Sequence, residues 1–186
     1  MQVEFDATCV RTIRISAKSK TYSSLVQEWK DRHPRRAPPP SFLLYLRVFG
    51  AKERGSQKMV IAQAPLTLVP KGAKPPPESV QEVLDSELFS RTQRKSICYA
   101  DGARAWPAAA KQVRKGFKFK QVSHVRSQFT KKTRKYVYGT QTLDRAWMWM
   151  KRFLGHGLKS RVRDQVNPAL LHKCFQFVWR HCNSVS

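Results

Sequence analysis

Acidic residues are scarce in this chain. It carries 12 Asp and Glu against 36 Lys and Arg, a formal net charge of +24 over 186 residues. That is far more charge than solubility requires, and on a folded body it points to a polyanion, nucleic acid being the commonest. Cysteine is scarce as well. Cys9, Cys98, Cys174 and Cys182 are scattered with no Cys-x-x-Cys pair, which excludes a disulfide framework and argues against zinc at His172, Cys174, His181 and Cys182. No uninterrupted apolar run approaches 18 residues and neither end carries a lipidation motif, so the rival polyanion, an anionic membrane surface, is set aside. Without a secretory leader pattern the expected setting is a reducing intracellular one: the nucleus for a eukaryotic source, the cytoplasm for a prokaryotic one. No internal repeat is visible. What is present, 41% hydrophobic and 11% aromatic residues, suffices for a single domain with a real core over 1–186.

The chain opens with an alternating stretch, Gln2 to Val10, that puts Val3 and Phe5 on one side and Glu4, Asp6 and Thr8 on a polar side, as in a strand with one buried face. Residues 11–40 read as an irregular basic excursion with one helical piece over 25–30, closed by Pro38-Pro39-Pro40. Two strand-like runs, 42–49 and 58–69, flank a glycine-containing loop over 50–57, which predicts a hairpin. A Pro-rich linker over 70–77 precedes a helix over 78–89 with Val80, Val83, Leu84 and Leu88 on one stripe. After a central strand, a short helix over 105–111 and a strand over 117–125 are expected. Residues 140–154 form the clearest helix, with Leu143, Trp147, Met150 and Leu154 on its buried stripe, Thr140 as its cap and Gly155 as its stop. A last helix starts at Asn167-Pro168. The arrangement is α/β with its helices late.

The central strand is Ile97-Cys98-Tyr99-Ala100, an apolar run that ends in Asp101-Gly102. In open α/β sheets the carboxyl edge of the strands is where ligands and catalytic groups collect. Eleven Lys or Arg lie between Arg104 and Lys135, and no acid occurs between Asp101 and Asp144. An acid isolated in a basic field holds either a fold or a cation. Asp6 on the first strand and Asp144 in the first turn of a helix are the two acids that the backbone could bring to it. Clustered carboxylates can hold two divalent cations for phosphoryl transfer, while lysines and arginines hold the phosphate backbone. Taken singly, each acid also has a plain role open to it: Asp144 complementing its helix dipole, Asp101-Gly102 making a turn, Asp6 facing water. Lys131, Lys132, Arg134 and Lys135, with Phe129, Tyr136 and Tyr138 beside them, fit phosphate contact and stacking as well as a solvated loop. His124 could orient DNA or be packed.

Five segments taken in order bear a family likeness. They are Val3-Glu4-Phe5-Asp6-Ala7-Thr8, Ala100-Asp101-Gly102-Ala103-Arg104-Ala105-Trp106, Val122-Ser123-His124, Gly139-Thr140-Gln141-Thr142-Leu143-Asp144 with Trp147, Lys151 and Arg152, and Gln176-Phe177-Val178-Trp179-Arg180. Together they resemble the ISXO-like DDE transposase domain of bacterial insertion sequences, related to the Merlin elements of eukaryotes. The resemblance implies a ribonuclease-H-like fold, a mixed five-stranded sheet flanked by helices, and DNA transposition with Mg2+ or Mn2+. It makes Asp6, Asp101 and Asp144 the metal-binding catalytic acids. DNA is then the partner, with His124, Lys131, Lys132, Arg134, Lys135, Lys151 and Arg152 as its contacts, a homo-oligomer on DNA a further expectation, and no membrane or small-molecule substrate. The chain departs from the family in having Asp144 where Glu is usual, Gly139 and Gln141 where His and Asn are usual, a longer 11–40 excursion, and no upstream zinc-ribbon or helix-turn-helix region. The other readings are a catalytically inactive, domesticated or truncated DNA-binding protein of the same fold, a nuclease of that fold without strand transfer, and a basic RNA-binding protein.

Overall fold

The computed structural model describes residues 1–121, 131–132, 137–155 and 167–183. Everything is built around β1 (Gln2–Ser16). Val3 and Phe5 turn to one side of it, Glu4 and Thr8 to the other, and all four are buried. The side that the alternation assigns to solvent is therefore covered. β1 also continues well past Val10: the 11–40 segment is not irregular but completes β1, turns, and forms α1 (Tyr22–Arg32).

β2 (Ser41–Glu53) pairs antiparallel with β1 from Val3 opposite Glu53 to Ser16 opposite Ser41, with a bulge between Cys9 and Arg11. On the far edge of β2 lie β3 (Met59–Gln63) and β4 (Thr67–Pro70), both antiparallel to it. The run over 58–69 is thus two strands, separated at Pro65, which has no N–H to give a ladder. Gly50, expected in a loop, is inside β2. β5 (Ile97–Ala100) and β6 (Lys118–Gln121) complete the sheet, β5 parallel to β1 and β6 parallel to β5. The order is β3-β2-β1-β5-β6 with β4 attached to β2, six strands where five were expected, because β2 is long enough to seat two short strands end to end. A separate two-stranded piece pairs β7 (Lys131–Lys132) with β8 (Val137–Tyr138).

Helices cover both faces. On one, α2 (Val80–Asp85) and α3 (Ala105–Gln112) close over Val3, Phe5, Phe49, Cys98 and Ala100, with Trp106 fully buried among them. α2 is shorter than its stripe predicts. Its start is fixed by Ser79 Oγ accepting from the Glu82 N–H at 3.1 Å while the Glu82 carboxylate accepts from the Ser79 N–H at 2.7 Å, a reciprocal cap that satisfies two otherwise orphaned donors. On the other face, α4 (Gln141–Leu154) and α5 (Pro168–Asn183) bury Leu143, Trp147, Met150, Leu154, Leu170, Cys174 and Phe177 against Leu46, Val48, Met59 and Ile61. The expected cap of α5 is present: Asn167 Oδ1 accepts the Ala169 N–H at 3.0 Å. No helix among the described residues is long and apolar enough to cross a membrane.

Candidate functional site

The register of β1 and β5 decides where the first two acids stand. Phe5 is opposite Ala100 on parallel strands, so Asp6 and Asp101 are the next residues along two neighbouring chains whose backbones lie about 4.8 Å apart. Asp101 follows the last residue of β5. Its Oδ1 accepts the Ala103 N–H at 3.2 Å, a turn that leads into α3. The third acid, Asp144, comes from the first turn of α4, where its Oδ2 accepts the Thr140 hydroxyl at 3.1 Å. Asp6 reports the convergence. Its carboxyl is pushed up to about 8, first by burial, then by the charges of Asp101 and Asp144, against weaker opposing hydrogen bonds from Ala7 and Trp147.

The seating of α4 over these acids rests on β1. Thr140 makes no side-chain cap. The cap comes instead from Glu4, whose Oε2 accepts the Leu143 N–H at 2.7 Å, a negative charge placed at the positive end of the helix. Glu4 Oε1 accepts from Arg54 Nε at 2.7 Å, and the Arg54 guanidinium lies 3.5 Å from the centre of the Tyr99 ring and donates to the Gly139 carbonyl. One turn along α4 from Leu143, Trp147 Nε1 donates to Asp6 Oδ2 at 3.0 Å. Two acids two residues apart on one strand face thus grip α4 at its end and at its next turn.

Gly50 makes room for that second grip. It is paired with Asp6 across β1 and β2, and a Cβ at this position would stand 2.5 Å from Trp147 Cζ2. Gly50→Ala is therefore expected to displace the indole, break its bond to Asp6 and cost about 1–3 kcal/mol through overpacking. Urea unfolding combined with the indole emission of Trp147, isolated by replacing the other tryptophans with Phe, checks this. An unchanged midpoint and emission would refute the close packing.

A cleft of about 740 Å³ opens beside Asp6, lined also by Thr8, Asp144, Trp147, Met148, Lys151, Arg152 and Gly155. Lys151 and Arg152 thus stand where the sequence expected them, on the acid side of α4, and the Arg152 guanidinium lies 4.9 Å from the centre of the half-exposed Trp149 ring. His124, Arg134 and Lys135 lie outside the described residues, and of Lys131 and Lys132 only the backbone is described, as β7. The sequence reading missed Glu4, Arg54, Gly50 and the bond from Trp147. The available signal was Glu4 itself, a second acid in phase with Asp6.

The donors fit a hard divalent cation in kind, since Mg2+ and Mn2+ favour carboxylate oxygens, and the raised carboxyl of Asp6 marks a crowding of negative charge that a cation would offset. Among the described residues, however, no group of three or more His, Cys, Asp or Glu is arranged as a ready ligand set. Searches against protein-family models, curated proteins and solved structures each find no match.

Proposed function

We propose that this chain is the catalytic domain of a DDE-type DNA transposase with a ribonuclease-H-like fold. Three features support the reading. The sheet has three antiparallel strands followed by two parallel ones, in the order β3-β2-β1-β5-β6, which is the strand order of a ribonuclease-H-like sheet. The acids come from the middle of β1, the end of β5 and the first turn of α4. Lys151 and Arg152 line the same cleft. The observation that carries the proposal is the placement of Asp6 beside Asp101 by the β1–β5 register, with Asp144 close enough to raise the Asp6 carboxyl.

In this reading Asp6, Asp101 and Asp144 would hold Mg2+ or Mn2+. When bound, such ions activate the attacking oxygen and offset charge on the leaving one. Lys151 and Arg152 hold the phosphates of the substrate strand. Trp147 fixes the orientation of Asp6, and Glu4 fixes the helix that carries Asp144. Water, then a freed 3′ hydroxyl, attacks a phosphodiester in line. A second reading, a DNA-binding protein of the same fold without the chemistry, is favoured by one observation: Trp147 and Thr140 already engage an oxygen each of Asp6 and Asp144.

Nicking and strand transfer on supercoiled plasmid, with Mg2+ and with Mn2+ at matched salt, separates the two. Asp101→Asn is expected to bind DNA as the wild type does and to lose nicking by about a hundredfold or more, the scale on which misplaced catalytic geometry is felt. If neither protein nicks while both bind, the catalytic reading falls and the binding one stands.

A further inference from the structure

The β1–β2 hairpin outruns the sheet that holds the acids. β5 accompanies β1 only as far as Phe5, yet β1 and β2 stay paired to Ser16 opposite Ser41, with β4 on the outer edge of β2 from Phe42 to Tyr45. This distal part is folded in its own right. Tyr22 and Trp29 of α1 pack edge-on against Phe42, and Trp29 stacks on His33. Ile15, Phe42 and Val69 are buried, but they belong to neither of the two core clusters that surround the sheet. The arm is therefore a lobe whose folding the acid cleft does not need for its own burial.

Its surface is strongly basic. Residues 11–40 hold eight Lys or Arg against Glu28 and Asp31, and Arg14, Lys18, Lys20, Lys30, Arg32, Arg35 and Arg36 are exposed. Of these only Arg32 is ion-paired, to Glu28, among the described residues. The arm is also tied to the cleft. Arg11 donates to the carbonyl of Gly155, a residue of the cleft wall, at 3.4 Å. Ten residue steps separate Asp6 from Ser16, at about 3.3 Å each, so the tip lies about 30 Å from the acids. One turn of B-DNA is about 34–36 Å.

We propose that this arm is a second contact on duplex DNA, holding backbone phosphates about one helical turn from the phosphodiester in the cleft. The inference rests on the proposed function for its choice of DNA. Its anchor is the cluster Lys18, Lys20, Arg35 and Arg36, on the two turns that flank α1. Backbone contacts of this kind carry affinity and position without reading sequence.

The test is fluorescence-anisotropy binding of the whole chain to a labelled 24-base-pair duplex over a range of KCl, with two charge-matched variants. One carries Lys18→Gln, Lys20→Gln, Arg35→Gln and Arg36→Gln. The other carries Arg94→Gln, Lys111→Gln, Arg114→Gln and Lys118→Gln, exposed positions at the opposite edge of the sheet. Each lost phosphate contact flattens the slope of log affinity against log salt by about 0.9. The arm variant is expected to flatten it by about 3 and to bind about tenfold or more weakly, with its melting temperature unchanged, whereas the control moves the slope by less than about 1. Equal effects of the two variants, or tighter binding of a duplex RNA of the same length, would overturn the proposal. A wild type that binds and nicks DNA while the arm variant matches it sinks the arm alone. A wild type with no affinity for duplex DNA sinks both the arm and the reading beneath it.

Discussion

Glu4→Ala is expected to lower the unfolding free energy by about 3–5 kcal/mol, the scale found when one partner of a buried ion pair is removed. Glu4 is 1% exposed and holds two donors at 2.7 Å, Arg54 Nε and the Leu143 N–H. The substitution leaves a largely buried guanidinium without its counter-charge and the first turn of α4 without its cap. A restored neighbour would be informative. In the double variant Glu4→Leu with Arg54→Leu, both charges leave together, and apolar side chains of similar reach replace them. That protein is expected to recover part of the loss, because the penalty of a lone buried charge is gone, but not the part due to the cap. Urea melts of the three proteins give the answer. A loss below about 1 kcal/mol for Glu4→Ala would mean that α4 is held by its apolar stripe alone.

Glu4 also marks the limit of what the sequence could show. The alternation over 2–10 placed it correctly on the side of Asp6, but said nothing of what covers that side. The covering element, α4, lies 139 residues away at Leu143, and its own pattern was plain: Leu143, Trp147, Met150 and Leu154 are all buried as their spacing required. Periodicity thus identified both surfaces and could not pair them. The same gap explains Gly50. A glycine between two apolar runs signals a turn, yet here it is inside β2, and its missing Cβ matters only because Trp147 lies over it.

The arm was lost for another reason. Beyond the bulge at Cys9 and Arg11 the strand has one face on a small lobe and one in solvent, and the bulge shifts the register by one. Arginines and lysines then fall where a strand pattern would place its apolar residues. The acids were legible for the opposite reason: Asp101 ends a short, wholly apolar strand, a break that depends on no distant partner.

The second large effect belongs to Asp6, and its sign follows from the raised carboxyl. In the unfolded chain this group titrates near 3.8, and in the folded one near 8. The folded state keeps a proton that the unfolded state has released, so the contribution of Asp6 to stability is fullest below about pH 4 and is lost as pH rises to about 8. Taken whole, a shift of that size corresponds to on the order of 5 kcal/mol; the half-buried position of Asp6 at a solvent-filled cleft reduces it. Asp6→Asn cannot titrate, and its amide oxygen still accepts from Trp147. The variant is expected to match the wild type near pH 4 and to be more stable by about 1–4 kcal/mol at pH 8.5. The other carboxylates cancel in that difference. A difference that stays flat with pH would mean that Asp6 is ionised in the folded protein, and the crowding of the three acids would lose its support. Magnesium sharpens the measurement. A cation held by the carboxylates competes with the proton on Asp6, so millimolar Mg2+ at pH 8 is expected to raise the melting temperature of the wild type and to do little for Asp6→Asn. Should the pH difference appear while magnesium leaves both proteins unmoved, the acids are crowded without holding a cation, and the balance passes to a DNA-binding protein that keeps the fold and has lost the chemistry.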